Sequence, residues 1–377
     1  KQKAPRQKMS QGLAISGRSD WIRTSDPLLP THQSHSILIN IDLSFLKCAK
    51  CAHFWPEYVP ALCARRKFAT AWNFAKIFFS SSILKGIGGH MSALIENNTI
   101  NPSQEVLFYE ALWFEAKGVR FQDLSELLQK RLPSDVSSHI PEAQLQKIKN
   151  FLKYIDVKKY DVLIRETADY PKKLEALDIP LLYYRGDISL INSPCVSIVG
   201  SRKSSARGIN SAKIIANSLA NDGYTIVSGL AAGIDTAAHM ETLRIKKKTI
   251  AVIGTPINKI YPKENRILQE KIATTNLLLS HVPFFKYSQQ HYRVNSRFFP
   301  ERNKVMAALS SATIIAEASD TSGSLIQARE ALRIGKKVII LKPSYDNPNL
   351  TWPKTYVHNK GAFVAETVKD IKDILGD

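Results

Sequence analysis

The stretch Val196-Ser-Ile-Val-Gly-Ser-Arg-Lys-Ser-Ser205 decides the fold, because a short strand pattern runs directly into a loop of small and basic residues. A helical segment follows from near Gly208. Working outward, short β-branched runs keep alternating with helical segments, which is the signature of parallel strands joined by crossover helices. Strands are predicted at 196–199, Thr225–Ser228, Thr249–Ile253, 277–279, 313–316 and Lys337–Leu341. The sequence therefore predicts an α/β fold with a mostly parallel sheet.

The chain is long enough, at 377 residues, for two or three structural units. Asn101-Pro102 predicts a helix start ahead of the α/β region. Helices are predicted at 102–117, 122–131 and 142–154. We interpret residues 91–160 as a small helical module and residues 161–377 as the α/β domain. Three short helices could form a DNA-reading helix-turn-helix, although packing or oligomerisation is the more common use of such a module.

Residues 1–90 show no sustained helical or strand period, so we expect a low-order segment there. The passage from Ser16 to Pro30 resembles a peptide that recurs in reading frames mispredicted across tRNA genes. Spurious upstream translation is therefore one hypothesis for this segment, with Met91 as the natural start. The alternative is a targeting peptide, but neither an Arg- and Ser-rich amphipathic helix nor an apolar core with a cleavage site is clear.

The chain is strongly basic, since 52 Lys and Arg against 33 Asp and Glu give a formal net charge of +19. This excess favours a polyanionic partner such as nucleic acid, although basic surfaces also occur in proteins that bind none.

No run of residues is apolar enough to span a bilayer, which predicts a cytoplasmic protein without a membrane partner. Cys48 and Cys51 form a CxxC near His53 and Cys63, but a second closely spaced ligand pair is lacking, so we expect unpaired cysteines and no metal.

Two loops that follow predicted strands are candidate phosphate-binding loops, since ligands of open α/β sheets bind beyond the carboxyl ends of the strands. Small residues let a phosphate approach backbone N–H groups, and basic residues add charge. The candidates in the first loop are Gly200, Ser201, Arg202 and Lys203, and those in the second are Ser228, Gly229, Gly233 and Asp235. The alternative interpretation of the first loop is a tight turn with solvated basic side chains. His239 is assigned a structural role, because a lone histidine on a helix is more often packed than catalytic.

Between Tyr287 and Lys304, aromatic residues are interleaved with basic ones, which suits a single DNA strand because bases stack on rings while cations contact phosphates. The candidates in this region are Phe299, Arg302, Asn303 and Lys304. The competing interpretation is that the phenylalanines are core residues and the arginines line a polar edge. Glu317, Ser322 and Gly323 are further candidates for phosphate contact, although Ser322 also fits a helix N-cap. No Ser-His-Asp spacing or carboxylate pair stands out, so no catalytic residue or cofactor is expected.

Several spaced motifs together resemble the DprA/Smf family. They are Asp169-Tyr-Pro-Lys-Lys-Leu174, Tyr184-Arg-Gly186, Gly200-Ser-Arg202, Ser228-Gly-Leu-Ala231, Gly233-Ile-Asp235, Ala238-His239, Tyr261-Pro262, Phe299-Pro-Glu-Arg-Asn303, Glu317-Ala318 and Ser322-Gly-Ser-Leu325. The resemblance covers residues 161–362 and implies an extended Rossmann-like fold that binds single-stranded DNA as a homodimer, acts in DNA processing and natural transformation, protects incoming DNA and helps to load the RecA recombinase, without catalysis. Many relatives have arginine where this chain has Lys304, which keeps the charge but loses bidentate geometry.

Two other functions are compatible with this fold class. A lysine-decarboxylase-like enzyme that cleaves nucleoside monophosphates at the glycosidic bond would use a Pro-Gly-Gly-x-Gly-Thr loop, and no such loop occurs in the sequence. A nucleotide-sensing defence protein stays open, because a sheet with anion-binding loops does not determine its ligand.

Overall fold

A nine-stranded sheet organises the part of the chain that the structure describes. The computed structural model describes residues 100–376 except 116–123, 125, 129–130, 156–158, 176 and 178. The predicted low-order segment 1–90, the CxxC and part of the predicted helix 122–131 lie outside the described residues. The strands are β1 Asp161–Ile164, β2 Leu181–Gly186, β3 Cys195–Gly200, β4 Thr225–Ser228, β5 Thr249–Ile253, β6 Leu277–Ser280, β7 Ala312–Glu317, β8 Lys337–Leu341 and β9 Phe363–Ala365.

The strand order across the sheet is β1-β2-β6-β5-β4-β3-β7-β8-β9. In this spatial order, the seven strands β6, β5, β4, β3, β7, β8 and β9 pair with their neighbours in parallel. Among the described strands, the antiparallel pairs are those that β2 makes with β1 on one side and with β6 on the other. The predicted α/β fold with a mostly parallel sheet is confirmed, and β3 to β8 lie where the sequence predicts strands. The short edge strands β1 and β9, together with β2, are additions that the sequence pattern does not predict.

Helices cover both faces of the sheet. The α-helices are α1 Pro102–Glu115, α2 Glu142–Lys153, α3 Ala206–Asn221, α4 Ile234–Arg244, α5 Arg266–Thr275, α6 Phe284–Gln289, α7 Tyr292–Asn295, α8 Phe298–Leu309, α9 Ser324–Arg333, α10 Lys342–Tyr345, α11 Trp352–Lys360 and α12 Val368–Leu375. Short 3-10 turns lie at Pro133–Val136, Lys172–Leu174, Ile188–Asn192 and Lys263–Asn265. Of the helices described, none has the length and apolar character needed to cross a membrane.

The two faces of the sheet are both buried, which explains why its strands are apolar throughout rather than alternating. On one face, Val199 and Val227 belong to a core that includes buried residues of α8 and α9. On the other face, Ile198 and Ile226 belong to a core with α3 and α4. Because side chains point to opposite faces at successive positions, neighbouring residues of one strand supply both cores.

The first helix begins at the predicted cap, since the side-chain oxygen of Asn101 accepts hydrogen bonds from the backbone N–H groups of Ser103 and Gln104 at 3.1 and 3.3 Å. Apolar residues of α1 and α2 share a core with β2, β5, β6 and α6. These helices therefore pack on the sheet, which is the use that the sequence favours. The division of the chain at residue 160 stays a prediction.

A buried carboxylate ties α1 to the sheet. Glu110 is fully buried. It accepts hydrogen bonds from the Tyr183 hydroxyl at 2.7 Å and from the backbone N–H groups of Phe284 and Phe285 at 2.7 and 2.8 Å. Burial raises the pKa of Glu110 from 4.5 to about 7, and the Tyr183 hydrogen bond opposes the shift. The contact joins three elements that are far apart in sequence.

Candidate nucleic-acid interface

The loops at the carboxyl ends of the central strands surround a cavity of about 610 Å³. It is lined by the loop after β3, by the start of α4, by α8 and by the loop between β7 and α9. Ten of the predicted site residues lie in its wall: Gly200, Ser201, Arg202, Lys203, Asp235, Phe299, Arg302, Asn303, Ser322 and Gly323. The position agrees with the general rule that open α/β sheets bind ligands beyond the carboxyl ends of their strands.

A larger cavity of about 760 Å³ lies between α1, α2 and β1. Its lining includes Lys149 and Lys153 but none of the loops that follow the central parallel strands. We place the candidate site in the smaller cavity, because ligand position in this fold class follows strand topology rather than cavity volume.

The loop after β3 is held by Glu317 at the end of β7. The Ser201 N–H donates to the Glu317 carbonyl at 2.7 Å. The Glu317 carboxylate accepts from the Ser205 N–H at 2.9 Å and from the Ser205 hydroxyl at 2.5 Å. A Cβ at Gly208 would collide with that carboxylate, so the glycine lets it approach α3. Glu317 therefore positions the loop and does not line the cavity.

Glu317 also affects which groups near this loop are available to a phosphate. The N-terminus of α3 is capped, because the Ser205 hydroxyl accepts from the Gly208 N–H at 3.0 Å. The Glu317 carboxylate supplies a negative charge at this helix end, where the dipole would otherwise favour a phosphate. Arg202 and Lys203 are exposed. Their side chains are thus better placed to meet an anion than the helix terminus is.

The loop after β4 is closed by Asp235. Its carboxylate accepts from the backbone N–H groups of Gly229 and Ala231 at 3.2 and 3.3 Å. Burial raises the pKa of Asp235, while the charge of Arg302 opposes that rise. Gly233 adopts a φ of 81°, and a Cβ there would collide with the Ser201 carbonyl. The two predicted phosphate loops therefore pack directly on each other.

Ser228 and Gly229 support this loop and do not line the cavity. The Ser228 hydroxyl donates to the Ile198 carbonyl at 2.6 Å. A Cβ at Gly229 would collide with the Arg302 guanidinium, so only glycine leaves room for that side chain. Lys304 also lies outside the lining, and its ammonium is 2.7 Å from a carboxylate oxygen of Glu301.

Arg302 lies in the wall of the cavity with only 5% of its surface exposed. Its Nη1 donates to the carbonyls of Gly229 and Val252, the latter at 2.7 Å, and its Nε donates to the Asn303 side-chain oxygen at 3.0 Å. Burial lowers the pKa of Arg302 to about 10, although Asp235 opposes the shift, so the guanidinium stays charged at neutral pH. Much of its donor capacity is thus used in joining the ends of β4 and β5 to α8.

Phe299 brings an aromatic ring next to the exposed cation of the first loop. The guanidinium carbon of Arg202 lies 5.5 Å from the centre of the Phe299 ring, and that of Arg302 lies 5.8 Å away. A Cβ at Gly254 would lie 2.6 Å from the ring, so the end of β5 packs closely against it. One arginine of this pair is exposed and the other is buried.

The opposite wall of the cavity is polar and uncharged. The Asn303 side-chain amide donates to the Gly323 carbonyl at 3.1 Å. The hydroxyl oxygens of Ser322 and Ser324 are 2.7 Å apart. Gln327, which the motif analysis does not select, also lies in this wall. Its signal in the sequence is its position one helical turn after the Ser322-Gly323 motif.

His239 is buried outside the cavity lining. Its Nδ1 lies 2.7 Å from the Thr249 hydroxyl oxygen, whose proton is directed to the Ile226 carbonyl at 2.7 Å, so Nδ1 donates. Burial lowers the pKa of His239 to about 3, and the ring is neutral at physiological pH. These contacts join α4 to β5.

Comparison with known proteins matches the chain to a protein family. The family model described as DNA recombination-mediator protein A matches residues 161–376. The chain is 42% identical over 177 residues to the DNA processing protein DprA of Streptococcus pneumoniae, which covers 46% of this chain and 60% of that protein. It is 38% identical over 232 residues to the protein Smf of Synechocystis, which covers 60% of this chain and 56% of that protein. The chain thus spans about 60% of the length of these curated relatives.

A solved structure agrees with this match. The X-ray structure of DprA from Streptococcus pneumoniae superposes with a TM-score of 0.53 at 30% sequence identity, covering 71% of this chain and 92% of that chain. Because the family model matches more than half of the sequence, the chain belongs to the DNA recombination-mediator protein A family.

Proposed function

We propose that this chain binds single-stranded DNA in the cavity at the carboxyl ends of β3, β4, β5 and β7, and that it does so as a DNA-processing protein without catalysis. The observation that carries the proposal is the exposed Arg202 guanidinium lying 5.5 Å from the centre of the Phe299 ring in the cavity wall. A cation beside a ring matches the two components of a single strand, a phosphate and an unpaired base. In a duplex the base faces are stacked and unavailable to such a ring.

The phosphate contacts are assigned to Arg202 and Lys203. Arginine offers a planar fork that suits phosphate oxygens, and lysine adds a point charge. Arg302 holds the loops in place through the carbonyls of Gly229 and Val252. Its charge adds to the positive potential of the cavity, while its burial limits direct contact with a strand.

The proposal of binding without turnover is supported by how the acidic side chains near the cavity are used. Asp235 accepts two backbone hydrogen bonds and faces Arg302. Glu317 is engaged by Ser205. Both carboxylates are thus engaged by hydrogen bonds within the protein, although Asp235 lies in the cavity wall, which supports binding rather than acid–base catalysis.

A titration in several salt concentrations tests the function. Fluorescence anisotropy with labelled oligothymidine, the corresponding duplex and AMP separates the three ligand classes, and release of free adenine from AMP reports glycosidic cleavage. Tight, salt-dependent binding of the single strand without base release is the expected result. Binding of AMP alone, or turnover of it, would move the protein to the nucleotide-sensing or phosphoribohydrolase class.

Arg202→Ala is the matched site variant. It should weaken single-strand binding and lower the magnitude of the log-log salt slope by about 0.7, which is the contribution of one phosphate contact. Arg333→Ala is the control, because Arg333 ends α9 at the opposite edge of the sheet and its side chain is 58% exposed. An unchanged slope in the Arg202 variant would place the strand elsewhere.

Homodimer formation and RecA loading are the further parts of this proposal, and family membership supports them. Light scattering of the purified chain tests the dimer. The ability of the chain to relieve the block that single-strand-binding protein imposes on RecA filament formation tests loading. A monomer at micromolar concentration, or no effect on filament formation, would remove the corresponding part.

A further inference from the structure

A second aromatic ring, outside the cavity lining, lies next to Phe299. Tyr261 stands in the loop between β5 and α5 with 49% of its surface exposed. Its ring centre is 5.7 Å from that of Phe299, and the two ring planes are inclined by 50°. Since Arg202 contacts the same phenylalanine, Arg202, Phe299 and Tyr261 form a continuous row.

The loop that carries Tyr261 is fixed by buried amides. The Asn265 side-chain amide donates to the Leu230 carbonyl at 2.9 Å and to the Thr236 hydroxyl at 2.8 Å. The Gln269 side-chain amide donates to the Lys259 carbonyl at 2.9 Å. These bonds tie the loop to the start of α4 and to α5. A ring held in this way needs little ordering when a ligand binds.

Phe299 has less free ring surface than its neighbour. The end of β5 packs closely on it at Gly254, and two guanidinium groups lie within 6 Å of its centre, at 5.5 and 5.8 Å. Tyr261 has no comparable cover, since about half of its surface is open to solvent. An unpaired base approaching this row therefore finds its accessible ring face at Tyr261.

We propose that Tyr261 is a base-stacking residue, on which a nucleobase of the bound strand rests while an adjoining phosphate contacts Arg202. This inference rests on the proposed single-strand function. Stacking requires only the π-face that every base has, so the position accepts any of the bases. The ligand class is single-stranded DNA with an intact base at this position.

Tyr261→Ala, Tyr261→Phe and Tyr154→Ala form the test set, titrated against oligothymidine at several salt concentrations. Tyr154 is the matched control, because it is a tyrosine with 89% exposure at the end of α2. Tyr261→Ala should raise Kd between about 5-fold and 150-fold, the range for loss of one base–aromatic stack, with the salt slope unchanged. Tyr261→Phe and Tyr154→Ala should bind like the parent protein. An oligomer of abasic sites should bind the parent and Tyr261→Ala equally.

Three outcomes would overturn the inference. The first is parent affinity in Tyr261→Ala. The second is an equal loss in Tyr261→Phe, which would assign the effect to the hydroxyl. The third is a fall of about 0.7 in the salt slope, which would indicate a phosphate contact. Tyr261→Trp gives an independent reading, because indole fluorescence should be quenched when a base stacks on it. If the Arg202→Ala change weakens binding and the Tyr261→Ala change does not, only this inference fails. If the parent protein does not bind single-stranded DNA at all, the proposed function itself fails.

Discussion

Replacing Arg302 by alanine removes a buried cation from the centre of the candidate site. The change leaves the carbonyls of Gly229 and Val252 without this donor. It also removes the charge that opposes the rise of the Asp235 pKa on burial. Water cannot readily solvate the groups that lose their partner, because Arg302 is 5% exposed and Asp235 is 4% exposed. We therefore expect a large loss of stability in addition to any loss of DNA binding.

The size of the effect follows from the contacts. Arg302 and Asp235 are buried groups of opposite charge that influence each other electrostatically. Removing one of two such interacting charges costs about 3–5 kcal/mol, because the other charge stays buried without compensation. For a unit of this size, each kcal/mol lowers Tm by roughly 2–4 °C, so a fall of about 6–20 °C is expected. Asp235 should take up a proton in the folded variant, since its pKa rises further without the cation. A folded-state pKa above the unfolded value means that stability decreases as pH rises, so the deficit should shrink towards pH 5.

Thermal unfolding followed by circular dichroism at pH 5 and pH 8 measures both effects. Arg202→Ala is the comparison, because its guanidinium is exposed and its loss should leave Tm within about 2 °C, as for most surface substitutions. Arg302→Lys separates charge from geometry, since lysine keeps the cation but cannot reproduce the fork. An Arg302→Ala protein with the same Tm as the parent at both pH values would refute the argument.

Three other predictions concern positions away from the cavity wall. Glu110→Gln should reduce the decrease in stability between pH 4.5 and pH 7, because the folded carboxyl has a pKa of about 7 and so holds its proton to higher pH than the unfolded chain; denaturant titrations across this range measure it, and an unchanged pH dependence would contradict it. His239→Ala should lower Tm by breaking the Thr249 contact while leaving the salt slope of DNA binding unchanged, and a changed slope would place the ring near the strand. Removal of residues 1–90 should leave Tm and single-strand affinity intact, as calorimetry and anisotropy on the truncated chain can check, and a large fall in either would show that the segment belongs to the domain.

Local pattern was sufficient for the central sheet. Strands β3 to β8 are apolar because both of their faces are covered. The start of α1 was recognisable as well, from the Asn101 cap. Small and basic residues follow those strands, so the position of the cavity could be inferred as well. Strand β2 was not predictable in this way, because it pairs antiparallel with β6 across 90 or more residues of chain, and no local period records such a pairing.

The sequence by itself determined that the loops after β3, β4 and β7 gather at the carboxyl edge of the sheet, since parallel strands must end there. The motif from Phe299 to Asn303 lies in α8, which no strand directly precedes, and only the folded arrangement brings it to the same cavity. Only the tertiary structure decided which of these side chains are exposed and which are buried and engaged within the protein. The sequence suggests Arg302 as a phosphate ligand, whereas in the structure its guanidinium donates hydrogen bonds to the carbonyls of residues 229 and 252. The sequence also suggests Glu317 as a ligand, whereas its carboxylate accepts hydrogen bonds from the backbone N–H and the hydroxyl of Ser205. Exposed and buried cations look alike along a chain, because burial depends on contacts between segments separated by 50 or more residues, and only the folded arrangement leaves Arg202 open to solvent while it encloses Arg302.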